Sequence, residues 1–304
     1  MVTGGAARKP RSPGVLAKTL AEFEDRYWSS EDGLRLHYRD YPGAADKAPV
    51  LCLPGLTRNA RDYETFAPRL AGKRRVLCPD FRGRGDSDYA KNPASYVPPV
   101  YARDLETLLA HEGVERFVAI ATSLGGLVTL LYAAQHAARI AAAALVDVGP
   151  EVSAEGIARI RGYVGQGRSF ETWMHAARAL QELQGAVFPG FAIGDWLTLA
   201  KRTMTLGSNG RIVFDYDMRI AEPFAAPDNA APPDLWPCWR ALAGRPLLVL
   251  RGETSDILTA EVAARMLREA PGAELVTVPG VGHAPTLDEP EAVAAIERLL
   301  ERVD

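Results

Sequence analysis

The sequence predicts an α/β fold built on a mostly parallel sheet, and three features carry that prediction. Short apolar runs alternate with stretches of helical periodicity, first over residues 50–148 and again from residue 247 onward. The chain has 304 residues, 47% hydrophobic and 24% charged, enough to bury a large core in two domains or one domain with an insertion. Residues 117–136 contain no Lys, Arg, Asp or Glu. By length that run could span a membrane, but Thr122, Ser123, Gly125 and Gly126 interrupt it. A buried β-branched strand followed by a buried helix fits it better.

The elements follow in order. Residues 27–30 and 34–38 flank Asp32-Gly33 and read as an opening hairpin. Residues 50–53 form a buried strand, 61–70 a helix, and 75–78 a strand ending at Pro79-Asp80. A helix over 100–111 puts Val100, Leu105, Leu108 and Leu109 on one face. Residues 117–121 form a strand, 124–136 a helix and 142–148 a strand. From 151 to 238 the strand rhythm stops, and large apolar residues accumulate in a segment that reads as a helical insertion. The rhythm resumes with a strand at 247–250, a helix at 259–269 and a strand at 274–278. A final helix is signalled by Asp288 as N-cap, Pro290 in the first turn and Glu291 three residues past the cap.

Composition narrows the function classes. A net charge of −3 offers no field to hold nucleic acid or an anionic membrane surface. Cys52, Cys78 and Cys238 are too few for a disulfide framework and read as buried small hydrophobes in a reducing, cytoplasmic setting. Residues 1–24 lack the apolar segment of a secretory signal and are expected to form a flexible arm. No P-loop, HExxH or CxxC spacing occurs, so neither metal nor cofactor is expected.

The strongest chemical signal is Ile120-Ala121-Thr122-Ser123-Leu124-Gly125-Gly126 at a strand-to-helix junction. A sharp turn there lifts the Ser123 hydroxyl above the sheet edge and demands small neighbours, which Ala121 and Gly125 supply. A plain N-cap serine would fit the same place. A serine nucleophile needs a base and an orienting acid. His283, in the Gly-rich loop after the last strand, is the candidate base. Asp256, in the loop after the seventh strand, is the expected acid, with Asp147 at the end of the sixth strand as its rival. An oxyanion would be met by the backbone N–H groups of Leu124 and Leu56, the latter in Leu53-Pro54-Gly55-Leu56-Thr57.

These motifs together resemble the α/β-hydrolase superfamily in its lidded, serine-esterase-like branch. Asp80-Phe81-Arg82-Gly83-Arg84-Gly85-Asp86-Ser87 is similar to that family's D-x-R-G-x-G-x-S loop. Residues 121–126 resemble its nucleophile elbow, 252–256 its acid loop and Gly282-His283 its histidine loop, and the order Ser, Asp, His is the family's. Two departures stand out: Ala121 where the elbow usually has Gly, and Pro54-Gly55 where the oxyanion loop usually has His-Gly. The resemblance implies an eight-stranded core over 25–150 and 239–304, with a lid at 151–238. It also implies a serine hydrolase that cleaves a carboxylic ester of a small, largely apolar molecule through an acyl-enzyme. Trp173, Phe188, Phe191 and Trp196 are the expected substrate-contacting residues of the lid. A lactonase or carbon–carbon bond hydrolase on the same triad, or a ligand receptor that retains it, are the alternatives.

Overall fold

An eight-stranded sheet with strand order β1-β2-β4-β3-β5-β6-β10-β11 forms the centre of a computed structural model that describes residues 22–225 and 233–303. β1 (Glu24–Ser29) and β2 (Arg35–Tyr41) are the opening hairpin, turning at Gly33 with φ +80°. Then come β3 (Val50–Leu53), α1 (Ala67–Leu70), β4 (Val76–Pro79), α2 (Pro98–His111), β5 (Phe117–Thr122), α3 (Leu124–His136) and β6 (Ile140–Val146). The next segment holds α4 (Ala154–Arg161), β7 (Ser169–Phe170), α5 (Trp173–Gln184), α6 (Ile193–Thr203), β8 (Met204–Leu206), β9 (Ile212–Phe214) and α7 (Ala221–Ala225). The chain closes with α8 (Trp236–Ala241), β10 (Leu247–Gly252), α9 (Ala260–Glu269), β11 (Ala273–Val278) and α10 (Pro290–Glu301). The expected arm at 1–24 falls outside the described residues, except for residues 22–24, of which Glu24 already belongs to β1.

β2 runs antiparallel to both of its neighbours, and the pairs from β4 to β11 are parallel. The central strands are buried on both faces, which explains their unbroken apolar runs. One face carries α2, α3, α8 and α9 through Leu105, Val128, Trp239 and Met266. The other carries α1 and α10 through Leu70, Ile296 and Leu299. The apolar run at 117–136 is thus β5 and α3, inside the core. Among the described residues no helix is long and apolar enough to cross a membrane. The three cysteines are free and buried.

Three local expectations are corrected. The helix expected over 61–70 is a short 3₁₀ turn at Ala60–Tyr63 followed by the four-residue α1, because Pro68 in the first turn of α1 has no N–H to continue a helix through it. The last helix is not capped by Asp288. Glu289 takes that position without a side-chain bond to the helix, its carboxylate accepting instead from Thr286, while the Asp288 carboxylate accepts from Thr65 Oγ1 and, at 3.0 Å, from Arg202 Nη1. The segment between β6 and β10 is not purely helical either: β7, β9 and β8 form a small antiparallel sheet.

That segment is tied to the core by buried polar contacts. Arg61 donates to the Arg202 carbonyl at 3.1 Å and to Asp215 Oδ2 at 2.7 Å. Gly85 N–H donates to the Asp215 carbonyl, and Asp217 N–H to the Gly83 carbonyl. The loop after β4, which makes the last two of these bonds, is organised by buried Asp80. Its carboxylate meets His37 Nδ1 at 2.7 Å and accepts from the N–H groups of Ala60 and Asp86. A Cβ on Gly85 would stand 2.2 Å from Asp80 Oδ2, so glycine is required there.

Candidate active site

The elbow between β5 and α3 has the strain its sequence implies. Ser123 sits at φ +51° and ψ −113°, and its N–H donates to the Val146 carbonyl at 3.0 Å. A non-glycine residue tolerates positive φ only where its surroundings enforce it. Here the enforcement is close packing. A Cβ on Gly125 would fall 2.2 Å from the Leu53 carbonyl oxygen, and one on Gly126 would fall 2.3 Å from Val148 Cγ1. Ala121 is fully buried in β5, so a methyl group is accommodated at that flank.

Parallel pairing of β5, β6, β10 and β11 brings their carboxyl ends to one edge. There Ser123 Oγ lies 2.8 Å from His283 Nε2, and His283 Nδ1 lies 2.8 Å from Asp147 Oδ2. Asp147 is fully buried at φ +56°. Its Oδ1 accepts from Gly252 N–H at 2.8 Å and its Oδ2 from Ser255 Oγ at 2.6 Å. These donors compensate the carboxylate for the water it has lost.

The structure therefore corrects the expectation that Asp256 orients His283. In the loop after β10, Ser255 Oγ accepts from the N–H groups of Ile257 and Leu258 while donating to Asp147. With Ser255 turned toward Asp147, the next side chain points the other way. Asp256 pairs with Arg159 of α4 through Nε and, at 2.8 Å, through Nη2. The Arg159 guanidinium holds the Asp256 carboxyl below the usual carboxylate range, against the opposing effect of burial.

Leu56 and Leu124 flank the serine. Leu124 is the first residue of α3, where a backbone N–H has no partner within the helix. Leu56 lines the cavity beside Ser123, and a Cβ on Gly55 would stand 3.8 Å from Ser123 Cβ. Behind this loop the fully buried Arg84 donates from Nε to the Leu56 carbonyl at 2.8 Å. Its Nη1 donates to the Arg82 carbonyl and the Tyr101 hydroxyl. Composition and spacing gave no sign of that role, since Arg84 occupies a variable position of its motif.

The cavity above Ser123 and His283 has a volume of about 100 Å³. Ile160, Tyr163, Val164, Gln184, Phe188 and Arg202 contribute to its lining from the segment between β6 and β10. Of the four aromatics expected there, only Phe188 reaches it. Trp196 is 1% exposed and packs with Phe191, Phe188 and Trp173 in that segment's own core. The lining is also more polar than expected, with Arg58, Asp62, Thr57 and Thr286 beside the apolar residues.

The model of the alpha/beta hydrolase family matches residues 50–296. A 3-hydroxybutyrate-oligomer hydrolase of Cupriavidus necator is 34% identical over 267 residues, covering 86% of this chain and 90% of that protein. A 2-(acetamidomethylene)succinate hydrolase of Mesorhizobium japonicum is 25% identical over 237 residues, covering 77% and 81%. The crystal structure of an alpha/beta hydrolase from Novosphingobium aromaticivorans superposes with a TM-score of 0.89 at 70% identity, covering 93% of this chain and 99% of that one. With the family pattern running from β3 into α10 and the fold shared throughout, the protein belongs to the alpha/beta hydrolase family.

Proposed function

We propose that the protein is a serine hydrolase that cleaves carboxylic esters through an acyl-enzyme, with Ser123 as nucleophile, His283 as base and Asp147 as the orienting acid. The observation that carries this reading is the chain from Ser123 Oγ to His283 Nε2 and from His283 Nδ1 to Asp147 Oδ2, each step 2.8 Å, beneath a cavity. Ser123 Oγ attacks the ester carbonyl while His283 Nε2 takes its proton. The oxyanion is met by the N–H groups of Leu56 and Leu124. Collapse expels the alcohol, which takes the proton from His283, and a water activated by the same imidazole releases the acid. Asp147 keeps the Nδ1 proton in place and stabilises the imidazolium.

The described residues 151–225 act as a lid that narrows the cavity and sets what enters it. The mixed lining suits an ester with polar groups near the reacting carbon better than a purely apolar one. The Cupriavidus necator relative, named for 3-hydroxybutyrate oligomers, supports esters of short hydroxy acids as the substrate class. A fluorophosphonate should label Ser123, and Ser123→Ala should lose both labelling and turnover, the latter by on the order of a million-fold, while remaining folded. Ester hydrolysis that persists in a pure Ser123→Ala preparation overturns the reading.

A further inference from the structure

We infer that Arg58 is a specificity-determining residue that receives a substrate carboxylate lying a few bonds from the scissile ester. The inference rests on the serine-hydrolase reading above and names the class of ester that reading takes. Arg58 belongs to the loop that holds Leu56: its N–H donates to the Gly55 carbonyl at 3.2 Å, and its side chain lines the cavity with Ser123 and His283. A Cβ on Gly55 would stand 3.4 Å from Arg58 Cγ and 3.8 Å from Ser123 Cβ. The arginine stem and the nucleophile thus flank the same glycine, and both side chains face the cavity that a substituent a few bonds from the reacting carbon would occupy.

The head group is held by one edge. Asp62 accepts from Nε at 3.0 and 2.8 Å and from Nη2 at 2.7 Å. Among the described residues Nη1 has no acceptor. A guanidinium carries five donors in a rigid planar fork, and a carboxylate on its Nε edge leaves the Nη1–Nη2 end free for a second planar anion. Because Asp62 already fixes the fork, little further ordering is needed when a substrate carboxylate arrives. The other arginine of the cavity lining, Arg202, is 4% exposed, and its three nitrogens are engaged by Glu64, Asp288 and Thr65. Arg58 is thus the lining arginine with an open end.

The test uses the full chain and a matched pair of esters, 3-(butanoyloxy)butanoate and its methyl ester, with butanoate release followed by chromatography. The wild type should prefer the free acid in kcat/KM. In Arg58→Met the ratio of acid to methyl ester should fall about 10- to 100-fold, the range expected for a hydrogen bond to a charged group. Arg58→Lys should keep part of the preference, because it restores the charge without the fork. Equal losses on both esters in Arg58→Met would mean that the arginine only supports the loop, and would overturn the inference. So would a wild type that shows no preference. Hydrolysis of 4-nitrophenyl butanoate is measured alongside. If that ester is cleaved and neither member of the pair is, the carboxylate inference fails and the serine-hydrolase reading stands; if none of the three is cleaved, both fall.

Discussion

Asp147 and His283 meet across the loops that follow β6 and β11, with 2.8 Å between Oδ2 and Nδ1, and the carboxylate is fully buried. Asp147→Asn preserves shape but favours the wrong imidazole tautomer, which costs about 10⁴ in kcat in serine proteases. A fall of that order is expected here. Asp256→Asn breaks an ion pair with Arg159 and leaves the His283 contact in place, so its kcat should change by less than about tenfold. Steady-state kinetics of both variants, with circular dichroism to establish folding, check the ranking. A larger loss in Asp256→Asn would refute Asp147 as the acid.

That Ser123 and His283 come together could be read from the chain because each lies in a loop whose small residues leave few alternatives: Ala121 and Gly125 around Ser123, and Gly282 before His283. Which aspartate meets His283 could not be settled that way. Both aspartates follow strands that reach the same sheet edge, and the choice between them is made by the Ser255 hydroxyl, which bonds Asp147 and sends Asp256 toward α4. Spacing does not encode which of two adjacent side chains turns inward. The parallel strands were legible because buried parallel strands are continuous apolar runs, and the opening hairpin because Asp32-Gly33 marks its turn. The small sheet of β7, β8 and β9 was not, since strands of two or three residues carry no measurable period. The aromatics of the same segment were misplaced because an apolar residue in an insertion can line a cavity or fill the insertion's own core, and composition is the same in both cases.

Gly125→Ala tests the packing that strains the elbow. The new methyl would press on the Leu53 carbonyl at 2.2 Å, a backbone atom that cannot move without shifting Pro54 and Gly55. Overpacking of this kind costs about 1–3 kcal/mol. The expected result is a lower melting temperature together with a loss of kcat, since the displaced segment leads into the Leu56 loop. Unchanged stability and activity would show that the elbow has slack at this point.

Arg84 fixes the Leu56 carbonyl from behind, and so helps to set where the neighbouring N–H points. Arg84→Met keeps the volume of the stem but removes the donor. Misplacement of a catalytic group by about 1 Å can cost ~10²-fold. For this variant kcat is expected to fall about 10- to 100-fold with little change in KM, and affinity for a boronic acid that mimics the tetrahedral adduct should fall in parallel. A change confined to thermal stability would limit Arg84 to a structural part.

His37 should make folding stability depend on pH well away from the site. Burial alone would lower its pKa, but buried Asp80 at Nδ1 and Asp25 at Nε2, 2.7 and 3.0 Å away, outweigh it and raise the value to about 9; Asp86 adds to this. The folded protein then keeps a proton on this imidazole that the unfolded chain releases near the ordinary value of about 6.5. Between those two values the native state binds more protons than the unfolded state, so stability falls as pH rises. The contribution is fully present below about pH 6.5 and is lost by about pH 9, and at 1.36 kcal/mol per unit it amounts to about 3 kcal/mol. Urea unfolding at pH 6 and pH 8.5 should show the wild type losing more stability than His37→Gln over that interval. The variant is less stable at pH 6, and the gap between the two proteins narrows as pH rises. A gap that stays constant from pH 6 to 8.5 would show that His37 is not held protonated by Asp80 and Asp25.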